Sequence, residues 1–129
     1  MCLFKLVNKE KIIEKAEKAK RGYIYCYSFA EKVRGKYRSP YWSCVYKTMN
    51  VSTRKKTTDR LYSNVSYVPH FHRFVHKSAA KKVRRDYYGL CPYPTVVLKW
   101  LVPVNDITAA GFDGGRTIVC KSCKLLGEV

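Results

Sequence analysis

Apolar and polar positions along this chain follow two periods, one helical and one extended. Over residues 9–20 the apolar side chains Ile12, Ile13, Ala16 and Ala19 recur at helical spacing, with Glu14 four before Lys18 and Glu17 four before Arg21. Asn8 is placed to cap this helix and Gly22 to stop it. The period then changes to two. Alternation over 23–29 puts Tyr23, Tyr25, Tyr27 and Phe29 on one face of a strand, an aromatic ladder that reads first as core and second as a ligand platform.

Residues 31–39 are basic and polar, and Ser39-Pro40 marks a turn into a second strand over 41–48. From 50 to 59 almost no residue is apolar, which predicts a mobile basic loop holding Arg54, Lys55 and Lys56. An extended segment over 61–68 precedes Pro69. Alternation resumes at 70–76, setting His70, His72, Phe74 and His76 on one face and Phe71, Arg73 and Val75 on the other. Ser78 is a plausible cap for a second helix that ends near Gly89, with Ala79, Ala80, Val83 and Tyr87 inward. Two last strands, 95–102 and 116–126, are connected through Pro103, Gly111 and the turn Asp113-Gly114-Gly115. The pattern predicts an α+β fold: a curved, mainly antiparallel sheet with about two helices packed on it, in a single domain over 1–129.

Composition adds a partner to this picture. The 129 residues carry 26 Lys and Arg against 9 Asp and Glu, a formal net charge of +17, while 47% hydrophobic residues mark a folded chain and not a basic tail. Such an excess repels itself, so it is better explained by an anionic, phosphate-rich partner than by any need of folding. The last quarter is nearly neutral and holds the apolar run Val96-Val97-Leu98-Lys99-Trp100-Leu101-Val102, so it reads as core while the middle carries the field. Eleven tyrosines point the same way, since their rings stack on bases and their hydroxyls reach phosphates.

The candidate site lies where the 70–76 strand meets the second helix. His72, Arg73, His76, Lys77, Ser78, Lys81, Arg84, Arg85 and Tyr88 gather there, with Arg54, Lys55 and Lys56 as a basic flap. A strand that runs into a helix start offers backbone N–H donors and the positive end of the helix dipole to an anion. Lys81, Arg84, Arg85 and Tyr88, three and four apart, form a basic stripe that ends in an aromatic ring.

Other chemistries find less support. The six cysteines show no regular framework and read as reduced, partly buried thiols; Cys120 and Cys123 could join His70 and His72 on zinc only if a turn or bulge put both on one face. No metal or cofactor is expected. A metal-dependent nuclease needs clustered carboxylates, and these nine are scattered. His76-Lys77-Ser78 matches half of the paired His-x-Ser/Thr motif of two-histidine phosphoesterases, and the other half is missing. An ADP-ribosyltransferase-like enzyme would have only Glu128 as its late catalytic acid. Catalysis is therefore not the expectation. No apolar run is long enough to span a membrane, and a cytoplasmic setting is expected.

The opening Met1-Cys2-Leu3, the Tyr-rich first strand, Arg38-Ser39-Pro40-Tyr41, Phe71-His72-Arg73-Phe74 before Ala79-Ala80, and Val96-Val97-Leu98-Lys99 with Val102-Pro103, Gly111 and Ile118-Val119-Cys120 together resemble a widespread group of small uncharacterised proteins of bacteriophages and phage-bearing bacteria. The chain departs from that pattern at His70, where Gly is usual, and at Val104-Asn105, where Lys-Gly is usual. The resemblance implies a phage-type origin, a host-cytoplasm setting and action against host defence. The sequence thus favours a non-enzymatic, oligomeric sponge that sequesters a nucleotide messenger, with phosphates on Arg73, Lys81, Arg84 and Arg85 and a base on Tyr87 or Tyr88. The alternative is a DNA- or RNA-binding protein that uses the whole basic face.

Overall fold

The computed structural model of the chain describes residues 5–7, 9–18, 20–38, 45–46, 51–53, 71–87, 93–112 and 114–129. In chain order the elements are β1 (Lys5–Val7), α1 (Glu10–Lys18), β2 (Tyr23–Val33), β3 (Lys36–Arg38), β4 (Val45–Tyr46), β5 (Val51–Thr53), β6 (Phe71–Phe74), α2 (Lys77–Tyr87), β7 (Thr95–Pro103), a 3-10 turn (Val104–Asp106), β8 (Ile107–Phe112), β9 (Arg116–Cys120) and β10 (Ser122–Glu128). All strands join one antiparallel sheet in the order β1-β8-β9-β6-β2-β7-β10-β5, with β3 paired to the far end of β2 and β4 to β3. The α+β class with a mainly antiparallel sheet and two helices is the one the sequence pattern implies. No helix among the described residues is long and apolar enough to cross a membrane.

One connection sets the shape of this sheet. β9 and β10 are joined by Lys121 alone, yet β6, β2 and β7 lie between them in the strand order. Neighbouring strands are about 4.8 Å apart, so a flat sheet would separate β9 from β10 by roughly 19 Å, beyond the reach of a single residue. The sheet must curl until β9 and β10 come together, while, among the described residues, its edge strands β1 and β5 stay unpaired with each other. Asp106 braces the meeting point: its carbonyl accepts the Lys121 N–H at 2.8 Å and its carboxylate accepts the Ser122 hydroxyl.

Curling gives the sheet an inner and an outer face, and strand alternation decides which side chain goes where. Cys26 opposite Trp100, Ser28 opposite Leu98 and Phe71 opposite Cys120 face inward, with Leu125, Ile118, Ala110 and Ile107. Trp100 is fully buried and donates its indole N–H to Ser28 Oγ at 2.8 Å, which satisfies the one polar atom of the largest core residue. α1 closes this core through Ile12, Ile13 and Ala16, the face its spacing predicts. A second, smaller core forms on the outer face, where α2 lays Ala80 and Val83 on Phe29, Phe74 and Val97. Gly115 lets the helix approach: a Cβ there would lie 2.6 Å from the Ala79 Cβ.

Several expectations need correction. The aromatic ladder divides: Phe29 is buried beneath α2, while Tyr25 is 36% exposed and Tyr23 and Tyr27 are half-buried. The polar stretch 31–39 is a hairpin, because Arg34 and Gly35 both have positive φ (51° and 74°), the two-residue turn that matches strand twist. Val51–Thr53, expected within the mobile loop, is a strand on the open edge of β10. The 116–126 strand is broken at Lys121, and β8 occupies what was read as a connection. Ser78 sits inside the first turn of α2; the carbonyl of His76 accepts from Ala79 and Ala80, so His76 holds the cap position. The expected cap Asn8, the 61–68 segment and most of the 41–48 strand lie outside the described residues.

α1 ends earlier than Gly22 predicts. Arg21 N–H reaches the Ala16 carbonyl at 3.0 Å and Lys20 N–H the Glu17 carbonyl at 2.9 Å, the paired bonds of a Schellman cap, with Lys20 itself left-handed at φ 54°. A side chain in that region is strained by about 1–2 kcal/mol, a cost that glycine avoids at the expense of its greater unfolded-state freedom. Lys20→Gly should therefore stabilise the fold by about 0.5–1 kcal/mol and raise Tm by a few degrees. Thermal melting checks this, and an unchanged or lower Tm would contradict the assignment of the cap.

Candidate functional site

Phe74 stands opposite Tyr27 in the sheet, and β6 runs on through Val75 and His76 into α2, so the helix starts beside Tyr27. Its last turn reaches the other end of β2, where Arg84 Nε donates to Thr95 Oγ1 at 3.1 Å. Thr95 pairs with Glu31, and both are buried, so this bond clamps the helix to a buried row of the sheet. α2 thus covers the Phe29–Thr95 half of the outer face and leaves the Tyr23–Tyr25 half uncovered among the described residues.

The candidate residues divide accordingly. Lys77, Ser78, Lys81, Lys82 and Arg85 are exposed on the outer side of α2, where Lys77, Lys81 and Arg85 succeed one another at four-residue spacing along one stripe. No acidic residue occupies the first turn of α2, so Lys77 stands against the helix dipole there, while Arg85 in the last turn suits it. His76 is exposed at the cap, and His72 is half-buried on the outer face opposite Val119. Arg73 and Arg84 do not join them. Arg84 serves as the clamp, and Arg73 points through the sheet to the inner face with only 4% of its surface exposed. Tyr88, Arg54, Lys55 and Lys56 lie outside the described residues, and the Tyr87 ring is likewise not described.

Arg73 is the buried charge of the inner core. Its guanidinium lies 4.1 Å from the Trp100 ring centroid and 5.3 Å from that of Phe71, and Nη1 donates to the His72 carbonyl at 2.8 Å. Cys26, Cys120 and Cys123 are buried around it as free thiols. The turn at Lys121 puts Cys120 and Cys123 on the same inner face, the condition that a zinc site would require. His72, however, points to the other face, and among the described residues no group of three His, Cys, Asp or Glu is placed to hold a metal ion. The thiols instead titrate as a set. The Cys120 thiol donates to Cys123, which with the nearby Arg73 charge brings Cys123 down to about 7 and holds Cys120 up, while burial pushes Cys26 up to about 12.

The uncovered half of the outer face has its own chemistry. Tyr23 and Tyr25 lie with ring centroids 5.4 Å apart and planes inclined at 59°, and a hydrogen bond that the Tyr23 hydroxyl donates to Tyr25 raises the Tyr23 phenol. The Lys99 ammonium is 4.1 Å from the Tyr25 ring centroid. Register places Tyr25, Leu101 and Lys124 in one row across β2, β7 and β10. Lys99 and Lys124 were missed because the last quarter of the chain reads as neutral core. The signal was present: Lys99 occupies an outward position of an otherwise apolar alternating strand.

Glu128, the one late glutamate, is engaged structurally. A register shift after Leu125 turns it to the inner face, where its carboxylate accepts from Lys32 at 2.9 Å and from the Tyr37 hydroxyl at 2.8 Å. These two donors hold it below the usual carboxylate range. Comparison with protein-family models, curated proteins and solved structures finds no match to the chain.

The thiol set makes a pH-dependent prediction. Cys123 ionises more easily folded than unfolded, so its contribution to stability is fully present above the ordinary thiol value of 9.0 and is lost as pH falls through about 7. Cys26 acts oppositely, and its contribution fades as pH rises from 9.0 toward about 12. Wild type minus Cys123→Ser, followed by thiolate absorbance at ~240 nm, should show one thiolate that appears near pH 7. A difference spectrum that rises only above pH 9 would contradict the Arg73–Cys123 arrangement.

Proposed function

We propose that this protein is a non-enzymatic nucleic-acid-binding protein whose outer surface tracks a phosphate backbone. One observation carries the reading: the exposed cations of the candidate site form a stripe on the solvent side of α2, while Arg73 and Arg84, which a nucleotide trap would need beside them, are turned inward. A single nucleotide is held by groups that converge around it. A polyanion needs only a succession of cations at the spacing of its phosphates. The geometry therefore favours the second of the two readings drawn from the sequence. Repulsion among Lys77, Lys81 and Arg85 at four-residue spacing costs the helix a few tenths of a kcal/mol per pair, which neutralisation by phosphate removes. A phage-type origin suits the same reading, since small basic domains that bind nucleic acid can act against host defence.

Fluorescence anisotropy with labelled 20-nucleotide single-stranded and duplex DNA, across a NaCl series, tests this. Affinity should fall steeply with salt, and Lys81→Gln with Arg85→Gln should weaken binding to all sequences and reduce the salt slope by about 2. Tight binding of a mononucleotide or cyclic dinucleotide with little salt dependence would contradict it and restore the sponge.

A further inference from the structure

We infer that the uncovered half of the outer face is a stacking platform for unpaired bases, so that the preferred partner is single-stranded nucleic acid. The inference rests on the proposed nucleic-acid reading and names which form of nucleic acid this face fits. Three observations support it. Tyr25 is the most exposed ring of β2 at 36%, and Tyr23 lies beside it at 5.4 Å, so two flat rings share one open patch of sheet. These rings are partly exposed, and in a chain of net charge +17 a flat anionic ligand suits them.

Lys99 supplies the second observation. Its ammonium stands over the Tyr25 ring at 4.1 Å, a place that the flat face of a base can take while the flexible lysine stem carries the charge to the adjoining phosphate. Lys124, exposed two strands away in the Tyr25–Leu101 row, gives a second phosphate contact roughly 10 Å off, within the span of a single nucleotide step or two. The third observation is continuity. Tyr27, two residues and about 7 Å from Tyr25, stands where α2 begins, so a strand that leaves the tyrosines arrives at Lys77 and the cationic stripe. Base pairs in a duplex hide the ring faces that such a platform uses, whereas a single strand offers them. Every base has such a face, so recognition here is tolerant of sequence.

The test compares three probes on the full chain: a dT20 oligonucleotide, a 20-bp duplex, and inorganic polyphosphate, which has the charge and no bases. Wild type should bind dT20 more tightly than duplex at equal salt. Tyr25→Leu, which keeps apolar bulk without a flat ring, should lower dT20 affinity about 10-fold, Tyr25→Phe should retain it, and Tyr23→Ala with Tyr25→Ala should lower it further. Polyphosphate binding should be unchanged in all of these variants, and unaltered thermal melting shows each is folded. Equal loss toward polyphosphate, or no loss toward dT20, would overturn the platform while leaving the nucleic-acid reading in place. Failure of wild type to bind either DNA overturns both.

Discussion

The fold depends on one connection too short for a flat sheet. With a single residue between β9 and β10 and three strands between their places in the order, the sheet has to roll up, and Asp106 fixes the roll through the Lys121 amide and the Ser122 hydroxyl. Rolling gives every strand an inside and an outside. From that follow the burial of Trp100 and the cysteines, the outward display of Tyr23, Tyr25, Lys99 and Lys124, and the surface on which α2 lies.

The inner face carries an unusual cost. A buried guanidinium is expensive unless it is paired, and Arg73 is accommodated by the Trp100 ring, the His72 carbonyl and a thiol that ionises readily. Arg73 therefore belongs to the structure and not to a binding surface. The same division governs Arg84. Two arginines that look equivalent in sequence to Lys81 and Arg85 are committed internally, and what remains outside is a ridge of cations beside an open aromatic patch.

Much of the fold was legible, because the periods of 3.6 and 2 report local geometry directly. The amphipathic face of α1, the inward Ala80 and Val83 of α2, and the opposite placement of His72 and Arg73 all follow from spacing. Long-range facts were not legible. Tyr25 and Phe29 share a face and an alternation pattern, and only the direction in which α2 crosses β2 leaves one open and covers the other. Turn chemistry hid the β2–β3 hairpin, since Arg34 adopts the positive φ that Asn or Asp would have signalled. At the CxxC, sequence identified the right condition, a turn between the two cysteines, without being able to tell that Lys121 makes one.

The proposed binding requires nucleic acid to contact the outer face of the sheet. Photo-crosslinking with a 5-iodouracil-substituted oligonucleotide, followed by tryptic digestion and mass spectrometry, maps that contact to a peptide. Crosslinks on the peptide spanning 22–32, which holds Tyr23, Tyr25 and Tyr27, are the predicted result. Crosslinks absent from that peptide and confined to regions away from both it and α2 would contradict the account.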